Sequence, residues 1–130
     1  MDSGLTARAE RALNAETASV THDDVERALD HQGPIMNKVL GSRHLTAFLK
    51  DVELLFEMIR DHLAKRYTRV PWKTIAAAAA TLLYILNPFD IIPDFIPGLG
   101  YVDDGMVVML AMKMVGKDLE KYRLWRRSQG

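Results

Sequence analysis

The chain has no cysteine, which excludes disulfides, cysteine zinc sites and thiol redox chemistry. It has no sustained alternation of apolar and polar residues, so nothing reads as a β-strand. It has no glycine-rich phosphate loop, since Gly98-Leu99-Gly100 lacks both the strand-to-helix setting and the lysine. Its four histidines (His22, His31, His44, His62) are scattered without ligand spacing, and Ser3, Ser19, Ser42 and Ser128 sit in contexts unlike a nucleophile elbow. These absences weigh against an enzyme and leave the question of activity open. Formal net charge is zero, which with no evident reading helix argues against a nucleic-acid partner. The N-terminus lacks a basic patch followed by an apolar run and does not read as a secretory signal.

Behind the neutral total lies an asymmetry. Residues 1–64 carry 7 basic and 11 acidic side chains, whereas residues 65–130 carry 10 basic and 6 acidic, and the latter basic groups flank an apolar block. A chain of 130 residues is one domain's worth, large enough for a single core without staples.

The pattern is helical throughout. Residues 1–43 read as a weakly helical N-terminal segment. In it, a thin apolar face (Leu5, Ala9, Ala12, Leu13) marks a helix over 2–16. A second helix is capped by Thr21, has Asp23 and Asp24 in its first turn, and is stopped by Gly33-Pro34. A short piece with Ile35, Met36, Val39 and Leu40 then ends at Gly41. Residues 44–130 read as the main helical domain. It opens with a long amphipathic helix over about 44–67, whose stripe is Leu45, Phe48, Leu49, Val52, Leu55, Phe56, Ile59 and Leu63. That stripe demands a cover: the chain's own core, or a second copy or protein partner through residues 45–63. Pro71 then opens a helix, Trp72–Leu86, that is apolar nearly all round and rich in alanine. A last helix starts at Asp103 or Asp104 and turns basic after Val115. The expected fold is all-α: a small bundle with a long amphipathic helix and an apolar helical hairpin closed by a Pro/Asp-rich turn.

An all-round apolar helix belongs at the centre of a protein or in lipid. Trp72–Leu86 has 15 residues, roughly 22 Å at 1.5 Å each, against about 30 Å of bilayer hydrocarbon, so a single clean span is disfavoured. A hairpin with basic residues at both open ends (Lys65, Arg66, Arg69, Lys73; Lys113, Lys117, Lys121) predicts membrane association on the cytoplasmic side, inserted or with a basic rim on anionic lipid. The alternative is a soluble cytoplasmic bundle with both apolar helices buried.

The turn itself, NPFDIIPDFIPGLGYVDD over 87–104, sets Asp90, Asp94, Asp103 and Asp104 among apolar side chains and Pro88, Pro93 and Pro97. Carboxylates in such surroundings need partners. Three readings stay open. Asp103 or Asp104 caps the last helix while Asn87 and Asp90 tie down the turn. The four aspartates hold calcium or magnesium. Or an acid with a raised pKa carries protons or engages a basic partner, with Arg123, Arg126 or Lys73 as counter-charges.

The run LLYILNPFDIIPDFIPGLGYVDDGMVV closely resembles the hallmark of the YkvA-like family, a bacterial domain of unknown function. The family pattern, [SN]-P-x-D-x-I-P-D-x-I-P-x-x-G-x-x-D-D between two apolar helices, is matched by Asn87, Pro88, Asp90, Ile92, Pro93, Asp94, Ile96, Pro97, Gly100, Asp103 and Asp104. Asn87 stands where serine is more usual. The resemblance covers about residues 70–115 and implies a small helical protein of a family in which many members are expected at membranes; it implies no substrate or cofactor. Together these features predict a non-enzymatic, membrane-associated interaction or structural module. The alternative is a soluble helical domain binding a divalent cation or small polar ligand at the acidic turn.

Overall fold

A computed structural model describes residues 3–87 and 104–129. Helix α1 spans Ser3–Ser19, α2 His22–Asp30, α3 Gln32–Gly41, α4 Leu49–Leu63, α5 Trp72–Leu86 and α6 Asp104–Gln129; a short 3-10 turn, Thr46–Phe48, precedes α4. Among the described residues there is no strand, and the fold is an all-α bundle.

Thr21 caps α2 as expected, and reciprocally: the Asp24 amide donates to the Thr21 hydroxyl (3.2 Å) and the Thr21 amide to the Asp24 carboxylate (2.9 Å). The break after α2 comes at His31, not at Gly33-Pro34. Those two residues lie in the first turn of α3, where proline forfeits only an amide that no helical carbonyl needs to accept.

Helix α4 is shorter than the 44–67 expected from its stripe. At its end Lys65 turns left-handed (φ 63°), the Arg66 amide donates to the Asp61 carbonyl (2.9 Å) and the Lys65 amide to the His62 carbonyl (3.0 Å). This paired bonding is the Schellman closure, and a lysine occupies the place glycine usually takes. At the other end, residues 46–48 wind into the tighter 3-10 form. The stripe is covered within the chain: Val52, Leu55, Phe56 and Ile59 are wholly buried in the main core, with Leu45 beside them.

Helix α5 has the limits read from sequence. Pro71, extended at φ −69° and ψ 153°, precedes it, and the Asn87 amide closes it on the Leu83 carbonyl (2.9 Å) just before Pro88. All residues from Thr74 to Ile85 are buried. α1, α2, α3, α4 and α6 each pack against it, so its all-round apolar surface is answered by protein on every side. The small side chains Ala76–Ala80 line these contacts, and the wholly buried Thr81 hydroxyl donates to the Ala77 carbonyl (2.7 Å). Among the described residues, no helix is long and apolar enough to cross a membrane.

Candidate functional site

Helices α5 and α6 run antiparallel. Thr74, at the start of α5, donates its hydroxyl to Asp118 in the second half of α6 (2.5 Å). From that bond Asn87 and Asp104 each lie about 20 Å away along their own helix at 1.5 Å per residue. Asn87 terminates α5 and Asp104 is the first residue of α6. Lys38, in the last turn of α3, reaches the same end and donates to the Leu86 carbonyl (2.6 Å). Pro88, Asp90, Pro93, Asp94, Pro97, Gly100 and Asp103 lie outside the described residues, and with them the capping and cation readings of the turn. Among the described residues, no group of three acid, histidine or cysteine side chains could hold a metal.

The arginines suggested as counter-charges for the turn are engaged elsewhere. Arg126 lies about 33 Å along α6 from Asp104, at 1.5 Å per residue, and it pairs with Glu57 (3.4 Å) and Asp61 (3.7 Å) of α4. Arg123 pairs with Glu120 (2.8 Å) and approaches Asp51 (3.9 Å).

Asp61 is the polar centre of that opposite region. It is only 8 % exposed and accepts hydrogen bonds from the wholly buried Tyr122 hydroxyl and from Arg66 Nε (2.8 Å), with Arg66 Nη2 at 2.7 Å. The helix closure at Lys65 is what folds Arg66 back onto Asp61. Burial would raise the Asp61 carboxyl, but the bonds from Tyr122 and Arg66 and the charges of Arg66 and Arg126 outweigh it and hold the carboxyl below its usual range. Burial first, then the bond to Asp61, pushes the Tyr122 hydroxyl up to about 12. Tyr67 and Trp125 pack their rings on Tyr122 at centroid distances of 5.1 and 5.8 Å. Asp61, Arg66, Trp125 and Arg126 border a surface cleft of about 470 Å³, but the charges there are already matched. This cluster fastens α4 to α6. Sequence reading missed it because Asp61 and Tyr122 are 61 residues apart and neither has a local signature.

The solvent side of α6 is different. Lys113, Lys117 and Lys121 recur every fourth residue on one face, all exposed, and none makes an ion pair among the described residues. Glu120 beside them is held by Arg123. Met109 (37 % exposed) and Leu124 (54 %) bracket the row, and Trp72 (44 %) is exposed at the start of α5.

A family model described as "Protein of unknown function (DUF1232)" matches residues 74–110, the segment that joins α5 to α6. The "Uncharacterized membrane protein YkvA" of Bacillus subtilis (strain 168) is 40 % identical over 88 residues, covering 68 % of this chain and 83 % of that protein. The chain belongs to the YkvA-like family. No solved structure matches it. The family match takes in the enclosed helix, the acidic turn and the apolar start of α6, so the YkvA-like signature covers core and turn together and stops before the lysine row.

Proposed function

We propose that the protein is a non-enzymatic module that sits on a membrane surface, on the cytoplasmic side, held by the basic face of α6 against anionic lipid. The observation that carries this reading is the enclosure of α5. The most apolar helix of the chain buries every residue from Thr74 to Ile85 against five neighbouring helices, and of its first turn Trp72 and Lys73 stay exposed. In this reading membrane contact comes from the outside of the bundle. There the Lys113–Lys117–Lys121 row, without an ion pair among the described residues, stands between Met109 and Leu124, which suits a headgroup layer with shallow apolar contact. Like charges four apart cost a helix about 0.2–0.5 kcal/mol per pair, so helix stability alone does not favour the row. The relative's description as a membrane protein points the same way.

Each lysine near an anionic surface contributes about 1 kcal/mol, so changing all three to glutamine costs roughly 3 kcal/mol, or about 150-fold in vesicle partitioning. Co-sedimentation with phosphatidylcholine vesicles containing phosphatidylglycerol measures this, with circular dichroism to confirm that the exposed changes leave the fold intact. Equal binding to vesicles of phosphatidylcholine alone, or a triple variant that binds like the parent, would refute the proposal.

A further inference from the structure

The start of α5 collects hydrogen-bond donors that the bundle does not use. Pro71 at the N-cap supplies no side-chain cap, and the first turn contains no acid. The amides of Thr74 and Ile75 reach the Pro71 carbonyl (3.0 and 3.3 Å), while those of Trp72 and Lys73 precede the first helical acceptor. Against this terminus lies a cleft of about 350 Å³ lined by Asn14, Thr17, Ala18, Trp72, Lys73 and Ala76.

Thr17 supplies an independent sign of a ligand. It is 5 % exposed, and its Oγ1 has no hydrogen-bond partner, one of two such buried side-chain atoms among the described residues with His62 Nδ1. A threonine inside a helix can give its hydroxyl to the carbonyl four residues back, as Thr81 does, yet Thr17 does not. A buried hydroxyl left unpaired costs free energy comparable to a lost hydrogen bond, and because Thr17 is a lining residue of this cleft its hydroxyl calls for an acceptor. Lys73 is exposed and forms no ion pair among the described residues. The acid of the adjoining cleft, Asp118, already accepts from Thr74.

Two free amides at the positive end of a helix, an ammonium and an unpaired hydroxyl form a receptor for an anion with several acceptor oxygens. We propose that the α5 N-terminus is a phosphate site, holding a phosphate monoester or diester through the Trp72 and Lys73 amides, the Lys73 ammonium and the Thr17 hydroxyl. The source of the phosphate rests on the membrane reading above: a lipid headgroup if that reading holds, a free phosphate compound otherwise.

The test is an amide NMR titration of the full chain with inorganic phosphate, against chloride at matched ionic strength. The expected result is saturable shifts at Trp72, Lys73 and Thr17, with affinity weakened about tenfold or more by Thr17→Val, which keeps the side-chain shape, and by Lys73→Met. The exposed Lys73 carries the test if the Thr17 variant is poorly folded. Thr17→Val then separates the sources: weaker binding to phosphatidylglycerol-containing vesicles indicates a headgroup, and weaker phosphate binding with unchanged vesicle binding indicates a free phosphate. Changing the lysine row should leave the phosphate shifts intact, so this site and the basic face can fail separately. Shifts that do not saturate, or affinity untouched by both variants, would overturn the site.

Discussion

Asp61 and Tyr122 join the end of α4 to the second half of α6 across 61 residues of sequence, and a double-mutant cycle measures that junction. Asp61→Leu removes the acceptor of a wholly buried hydroxyl, leaving Tyr122 with only the bond it accepts from Arg126 Nη1 (3.1 Å). A stranded buried donor costs about 1–3 kcal/mol. The release of Arg66 and Arg126 adds little, because both are half-exposed and water takes over their charges. Tyr122→Phe alone keeps the ring packing on Tyr67 and Trp125 but leaves Asp61 to its arginines, at a cost of about 1–2 kcal/mol. In the double variant no donor is stranded, so it should be more stable than the sum of single losses implies, with a coupling of about 1–2 kcal/mol. Urea unfolding followed by far-ultraviolet circular dichroism reads this directly, and in thermal melts each kcal/mol corresponds to roughly 3–5 °C for a chain of this size. Losses that add to within about 0.3 kcal/mol would show that the two groups are neighbours without being partners.

The left-handed Lys65 at the end of α4 predicts that Lys65→Gly stabilises the fold by about 0.5–1 kcal/mol, seen as a higher urea midpoint, whereas Lys65→Val should lower it. Tyr122, raised to about 12, contributes stability that is full below its unfolded value near pH 10 and is lost as pH rises toward 12. Unfolding free energy should therefore fall by roughly 2–3 kcal/mol at most over that interval, and Tyr122→Phe should flatten the fall. Asp61 acts in the opposite sense: its lowered pKa gives stability that is present above about pH 4 and lost on acidification below it, a loss that Asp61→Asn should reduce.

What sequence revealed and what it concealed divide by range. α5 could be bounded to the residue because Pro71 and Asn87-Pro88 are local punctuation, and the start of α2 could be placed because Thr21 is a local cap. Gly33-Pro34 misled because the same pair that stops one helix can open the next, and the first turn of α3 tolerates both. α4 ends before the expected residue 67 because the chain reverses at Lys65, a residue with no turn preference of its own. Whether α5 met lipid or protein was undecidable from its composition, since both environments ask for the same side chains; only the packing of five other helices around it answers that. The Asp61–Tyr122 pair and the unpaired Thr17 hydroxyl are tertiary facts, invisible until distant segments meet. The acidic turn was the plainest motif in sequence, and most of it lies outside the described residues.

The central claim is that the apolar helix is enclosed by protein and that attachment to membrane is made by charge on the outside. Washing membranes from cells producing the full chain tests it most directly, because salt breaks electrostatic contact and leaves lipid-embedded segments in place. The protein should sediment with membranes at low salt and move to the supernatant in 1 M salt or alkaline carbonate, without detergent. Retention through both washes, with release only by detergent, would contradict the claim and return α5 and α6 to the lipid.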